Sequence, residues 1–290
     1  MTPPRPLGAY GFRLSCPQAG ELPNLIEQEA SSPAVTVSWR HASTVRDVEE
    51  VGEDRVAYGF RGSTTYYVER DPAAIRFDIP YVPSPAALVH PLLTIGVSVL
   101  ARWRGDVTLH AGAFQTRVGG WGVMGAREAG KSSLLASVGE RGYPVLADDL
   151  LAIDERSIWA GPSCVDLRPD TVDQFADATP MGIVGGRPRF RLATPPGAGR
   201  VPMRGFFVLD WSDGLEIEVE PLAPQERLEW LYRQEYIRLV GFPDPAKLLP
   251  LVALPAWRLR RPRDWIAGGE AVDRVLEVAG LESSARQIGE

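Results

Sequence analysis

The sequence predicts an α/β fold in two units: a smaller β-rich N-terminal domain, residues 1–83, and a larger α/β domain, residues 84–290. Three observations carry this prediction. Runs of β-branched and aromatic residues fill the first unit. A stretch with three prolines in seven residues, "IPYVPSP" (79–85), is typical of a connector. Strand-like and helix-like segments then alternate to the end of the chain, which favours an α/β domain.

Composition narrows the class of protein. The 290 residues are 44% hydrophobic and 23% charged, which is ordinary for a globular chain. A formal net charge of -6 argues against nucleic-acid binding as the main function, because that binding needs an excess of positive charge. Two distant cysteines, Cys16 and Cys164, predict neither a disulfide framework nor a four-ligand metal site. With no recognisable secretory signal in "MTPPRPLGAYGF", we expect a cytoplasmic protein.

The first unit contains three strand-like runs, at 34–39, 55–60 and 64–70, and a hairpin turn is expected at 61–63. The second unit opens with an apolar helix over residues 86–103. Ser84 and Pro85 suit its N-cap and first helical position.

This apolar segment falls short of a membrane span, because His90 and Pro91 interrupt it. We therefore expect a helix buried in the protein and no membrane partner.

The next elements follow in close order. Short strands are predicted at 107–115 and 120–125, a helix at 131–141 and an apolar strand at 143–154. The remaining elements are two strands and two helices, expected at 205–211, 216–222, 225–240 and 271–281.

A phosphate-binding motif lies between the second of these strands and its helix. Residues 125–132, "GAREAGKS", fit the pattern G-x-x-x-x-G-K-[ST] in full. Only two of the 31 basic residues are lysines, and one of them, Lys131, occupies the position that offsets phosphate charge. The predicted nucleotide-binding residues are Gly125, Ala126, Arg127, Glu128, Ala129, Gly130, Lys131, Ser132 and Ser133.

Acidic residues complete the pattern. Asp148 and Asp149 end an apolar run, where one carboxylate can reach Mg²⁺ held by Ser132 and the other can accept a proton. Glu128 departs from the usual pattern, because it brings a negative charge close to a polyanion. His110 lies in a strand-like run, and from spacing alone it is either a core residue or a functional one.

Residues 178–209 contain five arginines and no acidic residue. Such a cluster in an acidic chain indicates either an anion site or a solvated loop. The arginines are Arg187, Arg189, Arg191, Arg200 and Arg204.

The stretch "LHAGAF…GVMGAREAGKSSLLASVGERGYPVLADDLLAID" resembles the catalytic domain of the HPr kinase/phosphorylase family. It is most similar to the smaller kinase-like members associated with lasso-peptide-type modification clusters. The resemblance is strong over residues 105–170 and implies a P-loop core like that of PEP carboxykinase, preceded by the β-rich domain.

The resemblance also implies roles. Asp148 and Asp166 would lie on the metal side with Ser132, Asp149 would be the catalytic base contacted by His110, and Arg168, with Lys131, would contact phosphate. Pro169 and Asp170 replace the glycine-rich signature that follows this arginine in the family. We therefore expect a kinase that acts in one direction.

The function expected from these observations is transfer of the γ-phosphoryl group of ATP, with Mg²⁺, to a serine of a peptide or protein, possible examples being lasso-type precursor peptides. Two alternatives stay open: a nucleotide-gated binding module with little kinase activity, and a small-molecule kinase. The chain could also form a homo-oligomer.

Overall fold

A computed structural model of the protein describes residues 5–60, 63–236 and 245–287. Within these ranges the chain has a mixed α/β fold with three β-sheets, which confirms the predicted α/β class. Two predicted elements lie partly outside the described residues: the turn at 61–63 and the last part of the helix at 225–240.

The first eight strands form one sheet. In the described part of the chain they are β1 (Leu7–Ala9), β2 (Phe12–Ser15), β3 (Ile26–Glu27), β4 (Ala34–His41), β5 (Glu49–Val51), β6 (Arg55–Phe60), β7 (Thr64–Glu69) and β8 (Ala74–Ile79). Their order across the sheet is β3-β1-β2-β4-β8-β7-β6-β5. The three predicted strand runs of the first unit correspond to β4, β6 and β7.

The apolar helix is present but kinked. Helices α1 (Pro85–Ala87) and α2 (Leu93–Arg104) flank a kink at His90, whose backbone is extended (φ -155°, ψ 131°). A residue before proline disfavours the helical conformation, which accounts for the kink. Ser84 caps the helix as predicted, since its hydroxyl accepts a hydrogen bond from the Ala87 amide.

The segment Pro85–Arg104 is long and apolar enough to cross a membrane, yet 78% of its most apolar window is buried in the fold. It packs against the N-terminal sheet, where Gly96 allows close approach: a Cβ there would lie 2.6 Å from Ile75. The buried-helix prediction is confirmed. Sheet and helix share one hydrophobic core, which extends to Leu150, and the domain boundary at residue 83 stays a prediction.

The second sheet carries the phosphate-binding motif. Nine strands of the described chain form it: β9 (Val107–Leu109), β10 (Gly112–Thr116), β11 (Gly119–Gly125), β12 (Val145–Ala147), β13 (Leu151–Asp154), β14 (Ser157–Trp159), β18 (Arg200–Trp211), β19 (Glu218–Pro221) and β20 (Ala256–Arg261). Strands β11, β18 and β20 are parallel neighbours. Their carboxyl ends, at Gly125, Trp211 and Arg261, therefore meet at one edge of the sheet, where open α/β sheets bind ligands.

Two predicted strands are wrong in their extent. The run 107–115 forms β9 and β10, so His110 lies in the connection between them and not in a strand. The run 143–154 forms β12 and β13, which are separated by residues 148–150. Asp149 has a left-handed backbone (φ 68°), which no extended strand accommodates.

A third sheet has the order β15-β17-β16 and supplies Asp166 and several arginines. Its strands are β15 (Cys164–Leu167), β16 (Thr179–Val184) and β17 (Arg187–Ala193). The remaining helices are α3 (Lys131–Glu140), α4 (Pro224–Arg233), α5 (Pro245–Val252) and α6 (Trp265–Gln287).

Candidate active site

The loop after β11 turns on two glycines. Gly125 and Gly130 have φ angles of 155° and 80°, in the range that glycine adopts without strain. A Cβ on Gly130 would lie 2.6 Å from the Arg261 guanidinium, which would have to move to make room for it. Helix α3 begins at Lys131 without a side-chain N-cap. Its first-turn amides are donors suited to a bound anion.

Lys131 lies beneath the loop. Its ammonium group donates to the carbonyl oxygens of Gly125 (3.0 Å) and Ala126 (3.2 Å). Burial, together with the charge of Arg168, lowers the pKa of Lys131 against the opposing effect of Asp149 and Asp148. Carbonyl oxygens leave the charge of the ammonium in place, and a phosphate oxygen at the loop would meet a desolvated cation.

Ser132 and Asp148 meet, as the sequence predicts. The Ser132 hydroxyl donates to Asp148 Oδ1 (3.0 Å), and Asp148 Oδ2 accepts from the Asp166 amide (3.2 Å). Burial, then the neighbouring charge of Asp149, raises the pKa of Asp148 to about 6. A hydroxyl and a carboxylate oxygen are ligands that Mg²⁺ accepts alongside phosphate and water, so this pair fits the predicted ion. Among the described residues, no three His, Cys, Asp or Glu side chains form a metal-binding cluster by themselves.

Asp149 has its side chain at the surface of the cleft, 35% exposed. Asp149 has a left-handed backbone, and the neighbouring Asp148 is buried. His110 lies close, but Nδ1 contacts the main-chain oxygen of Asp149 (3.2 Å) and not its carboxylate. Burial lowers the pKa of His110. The predicted pairing of these residues is therefore present through the backbone.

His90 is a site residue that the sequence analysis missed. Its Nδ1 lies 2.8 Å from Asp166 Oδ2, and its Nε2 lies 3.6 Å from Asp149 Oδ2. Burial opposes the charged imidazole, yet the carboxylates, Asp166 first, raise the pKa of His90. The available signal was the His90-Pro91 pair within an apolar helix, since a residue before proline leaves the helical path.

Asp166 is buried with both carboxylate oxygens engaged. Arg191 Nε donates to Oδ1 (2.8 Å), and His90 Nδ1 is hydrogen-bonded to Oδ2. Although burial alone would raise the pKa of Asp166, these two partners lower it to about 2. Arg191 also donates to the carbonyl oxygens of Ala86 and His90. We call Asp166, His90 and Arg191 the buried cluster. The metal role of Asp166 stays a prediction.

Arg168 and Glu128 form an ion pair at the mouth of the loop, with 3.2 Å between Nη1 and Oε1 and with both side chains well exposed. Glu128 has a left-handed backbone (φ 67°), a conformation that favours glycine. Trp211 donates to the Glu128 carbonyl oxygen (3.1 Å) and stacks on Arg261. Arg168 therefore lies at the loop, as predicted, but with a carboxylate as its partner.

The five arginines between residues 178 and 209 do not form one anion site. Arg200 pairs with Asp154 at the surface, and Arg204 donates to the Val118 carbonyl oxygen. The other three, Arg187, Arg189 and Arg191, alternate along β17 and so share one face of the third sheet.

A cleft of about 1040 Å³ connects these groups. The phosphate-loop residues, Asp149 and Arg168 line one part of it, and residues of the N-terminal sheet and of β17 line another. Anion donors, a site for a hard cation and a carboxylate able to accept a proton thus face one space. This arrangement can bind a phosphorylated ligand and position a hydroxyl beside it.

Comparisons with known proteins found little. No family model matches the sequence, and no curated protein matches it. A solved structure, the HPr(Ser) kinase/phosphatase from Coxiella burnetii, is similar at a TM-score of 0.31 and 11% identity, covering 61% of this chain and 98% of that one. A likeness at this level supports no conclusion about this chain, and the family and the lasso-peptide association stay predictions.

Proposed function

We propose that the protein is a kinase that binds ATP with Mg²⁺ at the loop and transfers its γ-phosphoryl group to a hydroxyl, with a serine of a peptide or protein as the acceptor. The observation that carries the proposal is the meeting of three groups at one sheet edge: the buried Lys131 ammonium, the Ser132 hydroxyl paired with Asp148, and the Asp149 carboxylate. The strong resemblance over residues 105–170 supports the same activity.

Each residue has a part in this reaction. The first-turn amides of α3 and Lys131 bind the phosphates, and Arg168 offsets charge that spreads over the transferred group. Ser132 and Asp148 would hold the Mg²⁺, which neutralises phosphate charge when bound. Asp149 accepts the proton of the acceptor hydroxyl and orients its oxygen. His110 fixes the main chain of Asp149 through its carbonyl oxygen.

The test is Asp149→Asn. Loss of a general base costs about 10²–10⁴-fold in rate, so phosphoryl transfer should fall by that factor while ATP binding persists. Mass spectrometry of serine peptides incubated with ATP and Mg²⁺ measures the transfer, and calorimetry measures the binding. Asp213→Asn, an exposed aspartate, is the matched control. Equal activity of wild type and Asp149→Asn would remove Asp149 as the base.

A second candidate function is a nucleotide-gated binding module. The Glu128–Arg168 ion pair favours it, because the Glu128 carboxylate is paired with the arginine that would contact the transferred phosphate. Under this alternative the wild-type protein binds ATP and transfers no phosphoryl group to any serine peptide, which the same two measurements detect.

A further inference from the structure

The cleft extends past Asp149 to a wall that the phosphoryl-transfer residues do not form. Thr64 and Tyr66 of β7, Arg189 of β17, and Tyr236 line this part. We call these four residues the far wall. They come from the N-terminal sheet, from the third sheet and from the segment after α4, so three parts of the chain converge there.

Arg189 is the charged group of the far wall, and it is poorly satisfied. Its side chain is only 17% exposed. Its Nε donates to the Val184 carbonyl oxygen at a long 3.4 Å, and its Nη1 lies 3.8 Å from Asp166 Oδ2, beyond hydrogen-bond distance. A guanidinium has five N–H donors and keeps its charge in proteins. Among the described residues, Arg189 therefore makes one long hydrogen bond and one long ion pair, the latter with Asp166.

Asp166 is a weak partner for Arg189. Its two oxygens are already taken at 2.8 Å by Arg191 and by His90, both nearer than Arg189. Arg189 lines the cleft, so its donors stay available to a ligand there. A half-buried guanidinium whose ion pair is long and shared gains from a closer carboxylate, so this position favours an anionic ligand.

Arg189 is placed so that an anion bound to it would belong to the same ligand as a hydroxyl at Asp149. A chain of contacts links the two residues: Arg189 lies 3.8 Å from Asp166, and His90 bridges Asp166 to Asp149. An anion on Arg189 would therefore lie near a hydroxyl on Asp149. It would also lie apart from the phosphate loop, which has its own cations in Lys131 and Arg168.

We propose that the far wall is the acceptor half of the cleft and that Arg189 binds a carboxylate of the acceptor. This rests on the proposed kinase function and adds a substrate class, a hydroxyl-bearing peptide with a carboxylate near the hydroxyl. A carboxylate matches the planar fork of one guanidinium. Asp149 and Asp166 lie close by, and they would repel a dianionic phosphate more strongly than a carboxylate with one charge. The N-terminal sheet then serves to recognise the acceptor.

The cleft of about 1040 Å³ is lined from the phosphate loop to β7. Because sites for one drug-sized molecule already reach about 1,000 Å³, the extent of the lining, and not the volume, indicates a second ligand position. A nucleotide at the loop therefore leaves the far wall open to an acceptor.

The test uses two fluorescent peptides. One has a serine flanked by aspartates and a free C-terminal carboxylate; in the other, asparagines replace the aspartates and the terminus is amidated. Fluorescence anisotropy measures the affinity of each peptide for the full chain, wild type and variants. The variants are Arg189→Gln, the charge-preserving Arg189→Lys, and Arg200→Gln as a matched control, because Arg200 pairs with Asp154 at the surface.

Wild type should bind the acidic peptide better than the neutral one. Arg189→Gln should lose about tenfold or more of the acidic-peptide affinity, which is the contribution of one hydrogen-bonded charge. Arg189→Lys should retain part of it, and Arg200→Gln all of it. A thermal unfolding midpoint near that of wild type establishes that Arg189→Gln is folded. Unchanged binding of the acidic peptide by Arg189→Gln would overturn the proposal.

Two further measurements separate the alternatives. Calorimetry with MgATP should give the same affinity for wild type and Arg189→Gln; an equal loss of ATP and peptide binding would assign Arg189 to the nucleotide and overturn the proposal. Absence of ATP binding by wild type would overturn the proposed kinase function. The peptide affinities of wild type and Arg189→Gln would then still test whether Arg189 binds a carboxylate. Displacement of the acidic peptide by inorganic phosphate, with none by acetate, would overturn the carboxylate assignment.

Discussion

The phosphate loop and the buried cluster lie on either side of Asp149 and are constructed differently. In the loop, Lys131 donates to main-chain carbonyl oxygens, and Arg168 pairs with an exposed carboxylate. In the buried cluster, Asp166 is enclosed and both its oxygens are engaged by charged or polar side chains. Main-chain carbonyl oxygens and an exposed carboxylate can be exchanged for a ligand, whereas the buried carboxylate of Asp166 leaves its partners only at a high cost in free energy. The loop is therefore suited to binding, and the cluster to holding Asp149 and β17 in position.

The largest effect expected from the difference between the loop and the buried cluster is on the free energy of unfolding. Asp166→Asn removes the charge opposite Arg191 and His90, and breaking a buried pair costs about 3–5 kcal/mol. Asp154→Asn removes the surface partner of Arg200, where about 0–1 kcal/mol is expected. Urea unfolding of the two variants measures both. If both variants lost a similarly small amount of unfolding free energy, the buried cluster would stabilise the fold no more than a surface ion pair does.

A smaller effect concerns Asp148, between the two regions. Its pKa is raised from 3.8 to about 6, so between about pH 4 and 6 the folded state keeps a proton that the unfolded state has lost. Stability conferred by the protonated carboxyl is therefore lost as pH rises through this window, by at most about 3 kcal/mol.

Asp148→Asn removes this titration. The difference in unfolding free energy between wild type and Asp148→Asn, measured without Mg²⁺, should fall from pH 4 to pH 6 and level off above. A difference that is constant over the window would contradict the burial of a charged Asp148.

The smallest effect concerns Glu128. Glu128→Gln keeps the backbone conformation, removes a negative charge from the phosphate site and frees Arg168. Because exposed ion pairs are worth about 0.2–1 kcal/mol, MgATP affinity should improve by roughly two- to fivefold. Glu155→Gln is the control, since Glu155 is also exposed and left-handed (φ 53°). Calorimetry measures the affinity. Weaker MgATP binding by Glu128→Gln would contradict competition between Glu128 and phosphate for Arg168.

The same two regions show what the sequence could predict. The loop is local: the glycines, Lys131 and Ser132 are adjacent in the chain, and the order of strand, loop and helix follows from periodicity. Asp148 could be expected near Ser132 because it ends a strand of the same sheet. The α/β class and the buried helix followed from composition and from the interruption at His90.

The buried cluster could not be predicted in this way. His90, Asp166 and Arg191 are separated by 76 and 25 residues along the chain and meet only through tertiary packing. Asp166 and Arg191 are cross-strand partners of β15 and β17, a pairing that single-strand patterns do not specify. The left-handed turn at Asp149, which splits the predicted strand, likewise depends on its surroundings rather than on aspartate itself.

The most direct test of the central claim is calorimetric titration of MgATP into the wild-type chain and its two lysine-to-alanine variants. We expect one bound nucleotide for wild type, loss of binding for Lys131→Ala, and wild-type affinity for Lys247→Ala, whose ammonium contacts the Gly105 carbonyl oxygen outside the cleft. Absence of heat with wild type, or equal affinity of all three proteins, would contradict a phosphate site at residues 125–132.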